Sequence, residues 1–370
     1  MANIPIIDIS SSDEQAAREL LAAARDNGFA YIKNNHATGI SVEDIQRMFD
    51  LSALFFASPT EVKEECSIHS NKSGKNRGWL GMHAETLDPG KQKKGDFKEA
   101  FNFSPHNPPQ ALSGPLVTER SQLLTFQSKC HSLCQHILRL FAIALSIPPP
   151  WFENRHDISK GETGSILRML YYPCLQTLMS KAQVQSSDSN APPANADTQT
   201  WQAFDQGTDV RAGAHSDYGA VTLLFQQRGQ PGLEILTKEG EWAPVSIDPA
   251  SDGLALPILL NIGDLLSYWT NGLLKSTVHR VIFPKSQSDQ DKGRDRYSMA
   301  YFCHPLDSAE LASVPSDMVR EMSGGQEARR EMEKVRMLGR LGDGGAEEKK
   351  VMTAKDHLDA RLGATYGVKT

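Results

Sequence analysis

The spacing of apolar residues changes at Ser165, from a helical period before it to a strand-like period after it. Short apolar runs then follow one another for about 140 residues, separated by Gly, Pro and polar turns. A block of this kind predicts a sandwich or jelly roll. The runs are SILRMLYYP, AVTLLFQQ, GLEILT, EWAPVSI, LALPILLNIGDLLSYWT, STVHRVIFP and RYSMAYFCHP.

The chain before this block predicts helices that pack on the outside of the barrel. Ser11 or Ser12 is the expected N-cap of a first helix, which ends at Gly28. The fold class that we expect is mainly β with flanking helices, built around a double-stranded β-helix (jelly roll, cupin-like) core. Further helices are expected over 41–58, 114–148 and 353–367, and further strands over 4–10, 29–34 and 96–104.

These patterns divide the chain into consecutive regions. Residues 1–120 form an N-terminal helix and strand region, and residues 121–160 a long helix that packs on the barrel. The jelly-roll domain occupies residues 161–310 and carries a flexible insertion at 180–208, which is rich in Ser, Asn, Ala and Pro. Residues 311–370 form a helical tail that includes a charged stretch, interpreted as a solvated helix or linker.

Composition excludes several kinds of partner. Of the 370 residues, 39% are hydrophobic and 23% charged, which is ordinary for a globular protein. The net charge of -6 argues against nucleic acid or an anionic membrane as the main partner, although one buried arginine can still hold a small anion. The N-terminus lacks the features of a signal peptide, no stretch has the length of a membrane span, and the five cysteines have no CxxC spacing. We expect a monomeric, cytoplasmic protein with a small-molecule substrate.

Two acid–base side chains, His215 and Asp217, stand two positions apart in GAHSDYGAVTLLFQ, where a strand-like run begins. His279 lies in a second alternating run, STVHRVIFP. If these runs are neighbouring strands of one barrel, two imidazoles and one carboxylate converge inside it. That set is the facial triad of non-haem Fe(II) oxygenases, which leaves three coordination positions open. Taken singly, the His-x-Asp pair is weak evidence, and His279 is better explained as a core histidine.

A charged residue inside the barrel is the next indication. The strand period puts Arg296 and Ser298 of RYSMAYF on one face and Tyr297 on the other. A buried arginine needs an anion, and this strand holds no acidic residue. A ligand carboxylate, held by the guanidinium fork and the Ser298 hydroxyl, is therefore a candidate. Pairing with a distant acidic residue is the structural alternative.

Over almost its whole length the sequence resembles the isopenicillin N synthase-like group of Fe(II)- and 2-oxoglutarate-dependent oxygenases. The combination of His-x-Asp, a later His in KSTVHRV and Arg-x-Ser is specific, whereas each part alone is not. The segments that carry the resemblance are IPIIDIS, DNGFAYIKNN, RGWLGMHAETLDPGKQKKGDFKEAFNF, RMLYYP, GAHSDYGAVTLLFQQ, QPGLEIL, NIGDLLSYWTNGLLKSTVHRV and RYSMAYFCHP.

The resemblance implies a role for each matching residue. It implies that His215, Asp217 and His279 are the catalytic iron ligands. It also implies that Arg296 and Ser298 hold the distal carboxylate of 2-oxoglutarate, with Tyr172, rather than Tyr171, as a further contact to the cosubstrate. The implied cofactors are Fe(II), 2-oxoglutarate and O2. The implied reaction couples oxidation of a small organic substrate to release of succinate and CO2.

Residues that face the substrate are less sharply indicated. Arg168 alternates with Tyr172 on its strand, and Tyr218 follows Asp217 directly. The family often builds its substrate wall on the strand that GDFKEAFNF matches, which adds Lys98, Glu99 and Phe101 as candidates. Trp79 and Phe302 are interpreted as core residues and His304 as a solvated loop histidine.

Several functions remain open at this point. Hydroxylation, desaturation and ring formation need only different placement of the substrate. A same-fold oxidase that uses no 2-oxoglutarate, and fragmentation of 2-oxoglutarate to ethylene, are alternatives within the fold. A non-catalytic small-molecule binding protein and a zinc hydrolase with two histidines and one carboxylate are alternatives from other classes.

Overall fold

The computed structural model describes residues 1–70, 76–105, 109–180, 208–283, 294–322, 325–326, 329 and 351–366. The insertion predicted at 180–208, apart from its two end residues, lies outside the described residues, as does most of the charged stretch 323–350. None of the helices in the described part of the chain is long and apolar enough to cross a membrane.

The N-terminal part contains capped helices, as the apolar spacing predicts. Ser12 caps the first helix and Ser41 caps the second, where it forms a capping box with Asp44. The helices that lie wholly within the described residues are α1 (Asp13–Asp26), α2 (Val42–Phe56), α3 (Thr60–Glu64), α4 (Pro115–Thr118), α5 (Arg120–Ala144), α6 (Pro150–Arg155), α7 (Asp264–Trp269), α8 (Asp317–Met322) and α9 (Ala354–Tyr366), with a 3-10 turn at His36–Thr38.

A larger sheet has the strand order β1-β2-β10-β7-β12-β5-β4-β3 among the described residues, and a smaller one has the order β6-β11-β8-β9. Strand β1 pairs with β2 in parallel, and the other neighbouring strands of these two sheets pair antiparallel. The strands are β1 (Ile6–Ile7), β2 (Phe29–Ile32), β3 (Gly78–Leu80), β4 (Glu99–Phe103), β5 (Ile166–Tyr172), β6 (Ala212–His215), β7 (Val221–Gln226), β8 (Leu233–Leu236), β9 (Trp242–Pro244), β10 (Ile258–Ile262), β11 (His279–Val281) and β12 (Arg296–Cys303).

Two apolar clusters account for the packing. The larger cluster fills the space between the outer face of the large sheet and helices such as α1, α2 and α5. The smaller cluster draws residues from both sheets, including Leu170, Leu233 and Val281, and so lies between them. The predicted double-stranded β-helix core with flanking helices is confirmed.

The structure differs from the sequence prediction at several points, two of which lie next to the site. The run 254–270 has the pattern of a single strand, but it contains β10 followed by α7. The break falls at Gly263, where a Cβ would lie only 2.2 Å from the carbonyl oxygen of Gly219. The short strand β6 was not predicted, because its residues Ala-Gly-Ala-His lack a strand-like apolar pattern.

Candidate active site

His215, Asp217 and His279 meet at one end of the small sheet. His215 ends β6 and His279 begins β11, and these two strands pair with the two histidines directly opposite each other. Asp217 Oδ1 lies 3.8 Å from His215 Nε2 and 3.6 Å from His279 Nε2. The potential ligand atoms all lie within 4.8 Å of one another, and they form the one such group found among the described residues.

Hydrogen bonds orient all three groups toward one point. Nδ1 of His215 lies 2.7 Å from the Gly213 carbonyl oxygen, and Nδ1 of His279 lies 3.2 Å from that of Thr277. Since a carbonyl only accepts, each Nδ1 carries the proton and each Nε2 keeps a lone pair for a metal.

Asp217 is held from the protein side in the same way. Its Oδ2 accepts hydrogen bonds from Thr222 Oγ1 at 2.6 Å and Asn261 Nδ2 at 2.7 Å, which leaves Oδ1 facing the histidines. Thr222 on β7 and Asn261 on β10 lie opposite each other in the large sheet. Asp217 is thus fixed by the large sheet, while both histidines belong to the small one.

The electrostatic surroundings favour a charged Asp217 carboxylate and a neutral His215 imidazole. Burial, reinforced by the neighbouring His279, lowers the pKa of His215 to about 4. Burial opposes ionisation of Asp217, but the two imidazoles and the hydrogen bonds from Thr222 and Asn261 outweigh it and lower the pKa of this carboxyl. These protonation states are the ones that metal ligation requires.

Arg296 is fully buried, and its contacts within the described part of the chain are to neutral groups. Its Nη1 donates to Ser298 Oγ at 3.1 Å and its Nε to the Gln230 carbonyl at 3.2 Å. Its guanidinium carbon lies 4.8 Å from the centre of the Tyr172 ring. Burial lowers the pKa of this arginine, as expected for a charge without a buried carboxylate partner. The arrangement is suited to a carboxylate supplied by a ligand.

One cavity joins these groups. Both sheets line it, with apolar side chains such as Leu224, Leu233 and Val281 near the triad and Arg296. The candidates that line it together are His215, Asp217, His279, Arg296, Ser298, Tyr172, Arg168, Tyr218 and Lys98.

Two predicted substrate residues do not line the cavity. Alternation along β4 turns Glu99 and Phe101 toward the helices, whereas Lys98 lies on the cavity side. Glu99 Oε2 accepts a hydrogen bond from Trp79 Nε1 at 2.9 Å and pairs with Lys63 at 2.7 Å, and Phe101 packs on Phe55. Glu99 and Phe101, predicted as substrate contacts together with Lys98, do not line this cavity, because Glu99 and Phe101 lie on the opposite face of the strand from Lys98.

The positive candidates of the wall are already paired with acids. Lys98 is buried and forms ion pairs with Glu85, at 3.0 Å, and with Asp96. Arg168 also pairs with Glu85. This wall is therefore polar and close to charge-balanced, and it offers hydrogen bonds to a ligand rather than a single uncompensated charge.

Other cavity residues were not found from the sequence. His304, predicted as a solvated histidine, is buried and lines the cavity, and burial lowers its pKa to about 3. Leu358, Leu362 and Thr365 reach the cavity from α9. The sequence predicts α9 as an amphipathic helix, but its contact with the cavity depends on tertiary packing that no local pattern reports. Phe302, predicted as core, is half-buried and lines the cavity as well.

Comparison with known families identifies the class of protein. Residues 4–122 match the family described as "non-haem dioxygenase in morphine synthesis N-terminal", and residues 165–305 match the 2OG-Fe(II) oxygenase superfamily. The second match contains the triad, Arg296 and Ser298.

Relatives and solved structures are similar to this chain over most of its length. The UPF0676 protein of Schizosaccharomyces pombe is 31% identical, covering 98% of this chain and 93% of its own length. A proline hydroxylase of Petromyces alliaceus is 31% identical, covering 79% of this chain and 82% of its own. Among solved structures, a full-length Neurospora crassa protein in complex with alpha-KG, which is 2-oxoglutarate, superposes with a TM-score of 0.68 at 26% identity, covering 97% of this chain and 96% of that one.

The chain belongs to the 2OG-Fe(II) oxygenase superfamily. It is an Fe(II)- and 2-oxoglutarate-dependent dioxygenase that oxidises a small organic substrate with release of succinate and CO2.

Proposed function

We propose that His215, Asp217 and His279 hold the iron of this oxygenase. The donor set fits Fe(II), since it offers two neutral imidazole nitrogens and one carboxylate oxygen on one side of a point. Hydrogen bonds to Gly213 and Thr277 free both Nε2 atoms for ligation.

Arg296, Ser298 and Tyr172 hold the distal carboxylate of 2-oxoglutarate in this proposal. The observation that carries it is the buried guanidinium of Arg296, which lines the same cavity as the triad and contacts neutral groups within the described residues. A carboxylate there forms charge-assisted hydrogen bonds with the guanidinium and accepts another from Ser298.

Iron with 2-oxoglutarate and O2 supplies the oxidising power of the reaction. The chain itself orients the reactants and keeps water out. Leu224, Leu233 and Val281 line the cavity that Arg296 and the triad share. Asp217 stays ionised because Thr222 and Asn261 satisfy its second oxygen. Such fixed polar groups in a dry cavity need no rearrangement during the reaction.

The substrate lies on the side of the triad that Arg168, Tyr218 and Lys98 border, and the product is hydroxylated. The paired charges of Lys98 and Arg168 favour a substrate with polar groups that hydrogen-bond to this wall. A first screen for succinate release therefore includes L-proline and homoarginine, since relatives are named as hydroxylases of these two compounds.

Anaerobic titration tests the site without knowledge of the substrate. Addition of Fe(II) and then 2-oxoglutarate to the purified apoprotein should produce the weak visible charge-transfer band of the chelate. His279→Ala should abolish this band because it removes one of three ligands. Arg296→Ala should keep the band but raise the 2-oxoglutarate concentration needed by about 10- to 100-fold, as expected for loss of a charge-assisted pair.

Glu99→Gln is the matched control, since Glu99 faces away from the cavity on the strand next to it. It should leave both the band and the 2-oxoglutarate dependence unchanged. An unaltered band in His279→Ala, or an unaltered 2-oxoglutarate requirement in Arg296→Ala, would contradict the assignments.

The proposal extends to the whole chain. Residues 1–120 form the N-terminal region, 121–160 the supporting helix, 161–310 the catalytic jelly roll and 311–370 the helical tail. The protein works as a monomer in the cytoplasm. All five cysteines are free and buried, which is consistent with a reducing compartment.

A further inference from the structure

Helix α9 supplies part of the cavity wall although it comes about 50 residues after the last barrel strand. Leu358, Leu362 and Thr365 line the cavity, and Ala354 and His357 on the same helix are buried. The helix therefore packs on the barrel through one face and contributes side chains to the substrate side of the site.

One arginine of α9 contacts the loop that carries the proposed metal ligands. Arg361 Nη2 donates to the carbonyl oxygen of Ser216 at 3.3 Å, and Ser216 stands between His215 and Asp217 in the sequence. The guanidinium carbon lies 4.2 Å from the ring centre of Tyr218. The Tyr218 hydroxyl in turn lies 2.5 Å from Oγ1 of another α9 residue, Thr365. The residues flanking Asp217 on both sides thus touch the helix.

Asp264, at the start of α7, connects Arg361 and Ser216 to the segment that precedes His279. Its carboxylate accepts hydrogen bonds from Ser216 Oγ at 3.2 Å and from Ser276 Oγ at 2.6 Å, three residues before His279. Its backbone N–H donates to the Asp217 carbonyl at 2.8 Å. Arg361 Nη2 lies 3.4 Å from the same carboxylate. The arginine is therefore the cation of a largely buried network that includes both segments.

We propose that Arg361 is a positioning residue that couples α9, and with it the substrate-side wall, to the metal-binding loop. Metal binding holds His215 and Asp217 in place, and with them Ser216 and Asp264. Since Ser216 and Asp264 contact Arg361, the contacts of this arginine become stronger. Coupling between two sites is reciprocal. If bound metal stabilises the packing of α9 on the barrel, a packed α9 therefore raises the affinity for metal by the same factor. The inference rests on the proposed metal site.

Hydrogen exchange tests this coupling with Co(II) alone as the probe, so neither substrate nor turnover is needed. In the wild-type protein, Co(II) should slow exchange of the α9 amides by about fivefold or more. In Arg361→Ala this metal-dependent protection should disappear. The Co(II) dissociation constant of Arg361→Ala should rise by the same factor, as reciprocity requires.

Two variants complete the design. Lys355→Ala is the matched control, because Lys355 is on the same helix but its half-exposed ammonium pairs with Asp359 of that helix, at 2.5 Å. It should behave as wild type. Arg361→Lys keeps the charge but loses the planar fork, so it should recover part of the protection. It also carries the test if Arg361→Ala does not fold.

Unchanged Co(II) affinity and unchanged metal-dependent protection in folded Arg361 variants would overturn the inference. Failure of the proposed metal site looks different. In that case the wild-type protein would not bind Co(II), or it would bind Co(II) no better than His279→Ala does. That result would remove the inference together with its foundation.

Discussion

Asp217 divides its two carboxylate oxygens between different tasks. Oδ1 faces the two imidazoles, and Oδ2 accepts hydrogen bonds from Thr222 and Asn261. Partners of this kind orient a ligand and keep it ionised, and their loss typically costs metal affinity about 10- to 100-fold. The sequence points to His215, Asp217 and His279 through their spacing and context. The sequence does not indicate that Thr222 and Asn261 support Asp217, because polar residues are common in strands. Only the register of β7 against β10 shows that these two residues lie opposite each other.

Replacement of Asn261 tests this division. Asn261→Ala should weaken Co(II) binding by about tenfold or more while every proposed ligand stays in place. Isothermal titration of the apoprotein measures the change. Asn102→Ala is the control, because Asn102 lines the same cavity but its amide bonds to Asn76. Equal affinities in the two variants would show that Asn261 does not support Asp217.

Side chains of strand β4 alternate between two faces, and this alternation decides which of them face the cavity. Lys98 faces the cavity, while Glu99 and Phe101 face the helices. The same alternation, applied to β12, correctly separates Arg296 and Ser298 from Tyr297. The sequence was sufficient to separate the two faces of β4, but which face meets the cavity follows only from pairing with β5.

Glu99 is expected to matter for stability rather than for ligand binding. Glu99→Ala leaves the ammonium of Lys63 buried without its partner, which typically costs about 3–5 kcal/mol of unfolding free energy. Urea denaturation measures this loss. Affinity for 2-oxoglutarate in the folded variant should stay at the wild-type level, and a loss of affinity would return Glu99 to the site. Asp157→Ala, which breaks the exposed pair with Lys160, should change stability little.

The molecule as a whole was predictable to the extent that its patterns are local. The strand block after Ser165, the capped helices before it and the jelly roll all follow from spacing of apolar residues. The burial of His304 does not follow from this spacing, because His304 packs near α9. His357 of that helix contributes to the lowered pKa of His304. Residues about 50 positions apart had to be brought together first, and no local pattern reports such a contact.

Buried histidines make the stability of the metal-free protein depend on pH. Burial lowers the pKa of His357 to about 4, below the usual value near 6.5. The unfolded chain therefore binds more protons than the folded one between these values, and stability falls as the pH drops through that window. Between pH 7 and pH 5 this single group should remove about 2 kcal/mol of unfolding free energy.

Denaturant titrations of apoprotein at pH 7 and pH 5 measure this dependence. His357→Gln removes one titrating group, so its stability should fall less between the two pH values than that of wild type. His36→Gln, on the exposed 3-10 turn, is the control and should retain the wild-type difference. A His357→Gln protein with the full wild-type loss would show that this imidazole is not kept neutral by folding.

The cavity draws its walls from the N-terminal region, the barrel and helix α9. The barrel carries the proposed metal ligands and Arg296, and α9 carries Leu358, Leu362 and Thr365. Among the described residues, none of these three has a hydrogen bond or ion pair to a proposed ligand. Changes at these three residues can therefore reshape the cavity while the proposed ligands and Arg361 stay in place. A helix grafted from a relative would reshape the same wall, provided that it keeps the arginine at position 361 and its contact with Ser216.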